Sequence, residues 1–169
     1  YISNMIHQMY HQEKYDMIGV DDIGLGGGVV DRLEELDVPV MAVNFAAKPM
    51  EPHLYKNVRA EAYWMLRQAF INREIAMKHD DELLVQLTSI KYDYNSSGKI
   101  FIEPKDKIKE RIGRSPDKAD AMAICWYTNK MRKDGYTGFM DQRMKDSKDA
   151  QMFKDGSGEK ISFSDFIQK

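Results

Sequence analysis

Carboxylates at two places in this sequence could do chemistry. Asp21 and Asp22 end the apolar run Met17 to Val20 and stand directly before the glycine-rich loop Gly24-Leu25-Gly26-Gly27-Gly28. Asp117 and Asp120 open a later helical stretch, three residues apart and therefore on one helix face. Asp120 is flanked by Ala119, Ala121, Met122, Ala123 and Ile124, a setting in which an unpaired carboxylate is costly. Carboxylates brought together from separate elements offer hard oxygen ligands to Mg²⁺ or Mn²⁺. Two such ions can activate a water and stabilise the leaving oxygen of a phosphodiester. Plainer readings stand beside this one. Alternation along a strand sends Asp21 and Asp22 to opposite sides, either can cap the helix that follows, and the first turn of a helix favours Asp117 without any function.

The glycine loop passes neither common phosphate-binding test. No Gly-Lys-Ser/Thr follows it, and Val29 stands where a dinucleotide fingerprint needs glycine or alanine. A tight strand-to-helix turn is the simpler account. His7, His11, His53 and His79 are dispersed, and the first two, at helical spacing, lack a third ligand nearby in sequence. Surface or satisfied histidines are expected. Between Lys99 and Lys118 there are seven Lys/Arg against four Asp/Glu. Such an excess leading into the Asp117/Asp120 helix could hold a phosphate backbone, or be a solvated face of alternating charge.

The elements that must position these groups follow from periodicity. Residues 2–13 carry Ile2, Met5, Ile6, Met9 and Tyr10 at helical spacing. A strand over 17–22, a helix to Asp37 with Val29, Val30, Leu33 and Leu36 on one face, and a second buried strand, Pro39 to Val43, form a βαβ unit. Its strands should pair in parallel. A helix over 58–70 and a short one over 81–87 come next. A hairpin, Ile90 to Tyr94 and Lys99 to Ile102, turns at Asn95-Ser96-Ser97-Gly98. Glu103 to Ile112 reads as a charged helix stopped by Gly113. Ser115-Pro116 opens the last helix, which runs into Trp126. Residues 129–169 read as a polar tail with Ile161, Phe163, Phe166 and Ile167 as a short docking segment.

With 169 residues and 43 % hydrophobic content the chain can build one domain core. A net charge of −2 supplies no global field for nucleic acid, though metal ions supply local positive charge. The lone Cys125 fits a reducing compartment, and no apolar run is long enough for a membrane span.

In this order the pieces resemble the C-terminal nuclease domain of the large terminase subunit of tailed bacteriophages. The residues that carry the resemblance are Val20 through Leu33, then Val43-Asn44-Phe45, and Asn57 through Glu61 with Trp64 and Leu66. Asp81 through Leu87, Gly98-Lys99-Ile100, Glu103-Pro104-Lys105 and Arg114 through Ala121 complete the set. The resemblance implies an RNase H-like α/β fold, a mixed sheet flanked by helices with a β-hairpin near the site, over residues 1–128. It implies cutting of concatemeric viral DNA with two Mg²⁺ or Mn²⁺ ions. Asp21 and Asp120 would be the metal ligands, Asp117 an auxiliary, and Lys99, Lys105 and Arg114 contacts to double-stranded DNA. Implied partners are the portal and the small terminase subunit, and the implied location is the cytoplasm of the infected host. The family's first catalytic aspartate, on an earlier strand, has no counterpart before Asp21. The chain therefore reads as lacking the first strands of the fold and the packaging ATPase. Two other readings stay open: a nucleotide-binding α/β module using the glycine loop, and a non-catalytic fragment that docks on portal or capsid.

Overall fold

The computed structural model describes residues 1–133. Their elements run α1 (Ile2–Glu13), β1 (Ile18–Asp21), α2 (Gly26–Glu35), β2 (Val40–Val43) and α3 (Val58–Ile71). They continue with α4 (Asp81–Ser89), β3 (Tyr92–Tyr94), β4 (Ile100–Ile102), α5 (Lys105–Ile112) and α6 (Asp117–Lys133). Tyr1–Asn129 form one compact unit. The segment with Ile161, Phe163, Phe166 and Ile167 lies outside the described residues.

The βαβ unit forms as its pattern dictates. β1 and β2 pair in parallel, Ile18 opposite Val40 through Asp21 opposite Val43. The crossover helix α2 buries Val30 and Leu33, while the same stripe's ends, Val29 and Leu36, are half-buried. Asp37 leaves the helix with φ 55°, and Val38 N–H returns to Leu33 O at 3.0 Å. The chain is thereby turned into β2.

The sheets differ from the expected single mixed sheet. β1 with β2 and β3 with β4 form separate two-stranded sheets; the second is antiparallel, with Tyr92 opposite Ile102. An isolated bridge joins Tyr55 to Ile100 on the far side of β4. The hairpin is tied down by packing on α3, where Tyr55, Ala60 and Ile100 form a buried cluster flanked by Leu54, Trp64 and Ile102. Burial in that cluster offsets the marginal stability of an isolated hairpin.

Two helices depart from the periodicity reading. α1 buries Ser3 and half-buries Ile6, His7 and Tyr10, leaving Ile2, Met5 and Met9 exposed. The face it turns inward is therefore rotated from its apolar stripe. α6 continues past Trp126 to Lys133, because Tyr127, Thr128 and Met131 keep a buried stripe at helical spacing. Among the described residues no helix is long and apolar enough to cross a membrane.

Candidate active site

β1 delivers Asp21 to the carboxyl end of the parallel pair, and two glycines set the surroundings of that strand. A side chain on Gly19 would collide with Thr128 Oγ1 and come within 2.8 Å of Ile124 Cγ2, so β1 lies directly against α6. A Cβ on Gly26 would overlap the carbonyl of Asp21. The absence of side chains thus lets α6 close on the strand and α2 start immediately beyond Asp21. This is the tight-turn reading of the loop. Asp21 Oδ1 accepts the Ile23 N–H at 3.2 Å, closing a local turn. Asp22 Oδ1 lies 3.4 Å from where a Gly27 Cβ would be, so a carboxylate already occupies the N-terminal end of α2. A phosphate there would meet like charge, which counts against the nucleotide-module reading.

Asp120 sits on α6 one helical turn before Ile124, and is 5 % exposed. The hydroxyl of Tyr63, from α3, donates to its Oδ1 at 2.6 Å. Lys105 Nζ, from the first position of α5, reaches Oδ2 at 2.8 Å. Arg59 Nη2 stands 3.8 Å from Oδ1, beside the face of Tyr63 with its guanidinium carbon 5.5 Å from the ring centroid. Arg59 is itself buried and held by Nη1 donating to Glu103 O at 2.8 Å. Burial, and then the Asp120 charge, push the Tyr63 hydroxyl well above the usual phenol range, so it stays a donor. A buried carboxylate is tolerable only with such partners.

The strand paired with β1 connects to the surroundings of Asp120. β2 leads into Phe45, whose O accepts the Arg59 N–H at 3.1 Å and whose ring lies 6.3 Å from that of Tyr63. Asn57 caps α3 through the Ala60 N–H at 3.0 Å. Glu61, fully buried, accepts the N–H groups of Met50 at 3.0 Å and Glu51 at 2.9 Å. The loop after β2 is thus fastened to the helix that presents Arg59 and Tyr63. Burial raises the Glu61 carboxyl above its ordinary value against the lowering pull of those amides.

α6 is aimed by α4. Gln86, 2 % exposed, accepts the Ala119 N–H through Oε1 at 3.0 Å. Asp80 caps α4 through Leu83 N–H and pairs with Lys118 at 2.7 Å, while Glu82 pairs with Lys118 at 2.9 Å and Arg114 at 2.8 Å. Asp117 is exposed although it shares a helix face with buried Asp120. Several cations of the basic stretch are therefore already engaged: Arg114 with Glu82, Lys118 with Asp80, and Arg111 with Glu103 through two bonds of 2.7 Å. Lys107 and Lys109 are exposed, and Lys99 is half-buried beside the hairpin turn. Arg59, Tyr63 and Gln86 were not among the expected site residues. Arg59 stands in the Asn57–Glu61 run that carried the resemblance, but nothing in its spacing announced a carboxylate partner.

No family model matches the sequence, and neither does any curated protein. Solved structures do match. The nuclease domain of the large terminase subunit gp2 of bacterial virus Sf6 superimposes with a TM-score of 0.59 at 19 % identity, over 73 % of this chain and 70 % of that one. The chain has the fold of a phage terminase nuclease domain. The K428A mutant of that domain with manganese and beta-thujaplicinol gives a TM-score of 0.58 at 19 % identity, over 73 % and 70 % of the two chains. The same mutant with manganese gives 0.55 at 18 %, over 73 % and 71 %.

On this terminase nuclease fold the donor chemistry at Asp21 and Asp120 suits a hard divalent ion. The arrangement is less complete than the expected two-ion centre. Among the described residues no three His, Cys, Asp or Glu side chains gather into a metal-holding group, and Lys105 occupies the Asp120 oxygen that an ion would need.

Proposed function

We propose that this chain is the nuclease part of a phage DNA-packaging terminase large subunit and hydrolyses phosphodiester bonds of double-stranded DNA. The observation that carries the reading is a buried Asp120, ringed by Tyr63, Lys105 and Arg59, on the helix packed against the strand that ends in Asp21. Asp21 and Asp120 would hold Mg²⁺ or Mn²⁺, with exposed Asp117 as an auxiliary. Bound there, a divalent ion supplies an activated water and charge stabilisation of the leaving oxygen. The chain's own part is positional. Tyr63 and Arg59 fix the Asp120 carboxylate, and Lys105 neutralises it until a stronger cation competes. Lys105 and half-buried Lys99 then contribute positive charge to a DNA backbone, with Arg114 joining when it leaves Glu82.

The test is cleavage of duplex DNA in Mg²⁺ or Mn²⁺ by the wild-type sequence and by Asp21→Asn and Asp120→Asn. Each substitution is expected to cost at least about 10²–10³-fold in rate, the size of losing one transition-state stabilising group. Far-UV circular dichroism should be unchanged. Cleavage retained in either folded variant would overturn the assignment.

A further inference from the structure

His7 and His11 stand on successive turns of α1 and bring their Nε2 atoms to 3.1 Å, a hydrogen bond between the rings that a shared metal ion would replace. The rings are 4.5 Å apart at 75°, and Tyr10 packs edge-to-face on His11 at 5.2 Å, restricting that ring. The other two histidines face carboxylates instead: His53 lies 3.7 Å from Glu51 and His79 lies 2.8 Å from Asp81. Two imidazole nitrogens converge only on α1, among the described residues.

The separation has a chemical meaning. With metal–nitrogen bonds of about 2.0–2.1 Å, a 3.1 Å gap subtends about 95–102° at a shared ion, between the octahedral and tetrahedral angles. We propose that His7 and His11 form a two-imidazole site for a Zn²⁺, Ni²⁺ or Cu²⁺ ion, its remaining positions filled by water. Both rings would carry their proton on Nδ1, freeing each Nε2 lone pair. Imidazole selects these metals, whereas carboxylate and water suit Mg²⁺ and Mn²⁺. The site is therefore chemically separate from Asp21 and Asp120. With two protein ligands it is weaker than a closed structural site. Its effect would be to clip two turns of α1, the helix that packs on α2 and leads through residues 14–17 into β1. An ion bound only by the folded helix stabilises it by linkage.

The experiment is a Ni²⁺ titration of the untagged 169-residue chain, following the histidine ring resonances by NMR, with Mg²⁺ as competitor. One saturable event should broaden His7 and His11, and excess Mg²⁺ should not displace it. His7→Gln or His11→Gln should each weaken binding by at least about tenfold, since even loss of a group that supports a metal ligand costs that much. His53→Gln should leave binding unchanged. Equal Ni²⁺ affinity in the α1 variants, or displacement by Mg²⁺, would overturn the site. Neither result bears on DNA cleavage, which rests on different residues and metals.

Discussion

Replacing Lys105 by alanine separates the two things the Asp120 carboxylate can do. Lys105 Nζ lies 2.8 Å from Oδ2, the oxygen a divalent ion would have to share. At an effective dielectric near 20, two unit charges at that distance attract by about 6 kcal/mol before any opposing cost. The Lys105 side chain is 45 % exposed, however. Solvent screening and the entropy of holding a long side chain reduce such pairs towards about 1 kcal/mol when exposed, and burial of the carboxylate moves this one upwards. We therefore expect Lys105→Ala to strengthen Mn²⁺ binding by about 1–2 kcal/mol, roughly 5- to 30-fold in affinity. Calorimetry and paramagnetic broadening by Mn²⁺ would read the change. Cleavage should not rise in proportion, because the same lysine is assigned to the DNA backbone. Its loss should raise the DNA concentration needed and flatten the salt dependence of binding. Unchanged or weaker Mn²⁺ affinity in Lys105→Ala would refute the idea that the ammonium and the metal compete for one oxygen.

Four further outcomes test the frame around the site. Tyr63→Phe should cost about 1.5–3 kcal/mol in urea unfolding, the range for a hydrogen bond to a charged group. Because burial holds the Tyr63 hydroxyl neutral well into alkali, the cost should be the same at neutral and mildly alkaline pH. Gly26→Ala should destabilise by at least about 1–3 kcal/mol through overpacking against the Asp21 carbonyl, and should also impair cleavage. Gln86→Ala should cost about 1–3 kcal/mol by orphaning the buried Ala119 N–H, seen as a lower urea midpoint at constant slope. The Glu61 carboxyl is raised on folding, so its contribution is present below the ordinary value near 4.5 and is lost as pH rises through the folded value. Glu61→Gln should remove that part of the pH slope, and identical slopes in the two proteins would contradict the assignment. Asp80 and Glu103, lowered by Lys118 and Arg111, work in the opposite sense and lose stability on acidification.

Much of this architecture was legible because it rests on local rules. The βαβ unit, the Asn95–Gly98 hairpin and the stop at Gly113, which takes φ 76°, each follow from residue types within a few positions. What was not legible required partners far apart in sequence. Asp120 could be marked as an expensive carboxylate from its alanine neighbours. The groups that make it affordable, Tyr63 and Arg59 57 and 61 positions earlier, could not be named, because a helix pattern does not say what faces it. The capping of α6 shows the same limit: Ser115 looked like the local cap, yet Gln86 from another helix accepts the Ala119 N–H. The basic stretch shows a related limit. Its charge excess is real in sequence, but Arg111, Arg114 and Lys118 fold against Glu103, Glu82 and Asp80.

Those pairings bear on how the site would work. A carboxylate buried without compensation would shift towards its neutral form or pull the helix apart. Here the fixed partners, the Tyr63 hydroxyl donor and the Arg59 charge, come from α3, and the displaceable one, Lys105, comes from α5 and is half exposed. The division suits the proposed metal site. The buried partners hold Asp120 in one geometry, while the exposed partner is the one that a metal or a phosphate can draw away. Asp21 is built differently: among the described residues its carboxylate accepts a local N–H at 3.2 Å, and its position is set by backbone packing at Gly19 and Gly26. Changes around Asp120 should therefore act mainly on charge balance and metal affinity. Changes around Asp21 should act on where the strand end lies. Double-mutant cycles between Lys105→Ala and Tyr63→Phe should show strong coupling through their shared carboxylate. Lys105→Ala with Gly19→Ala should be close to additive in folding stability.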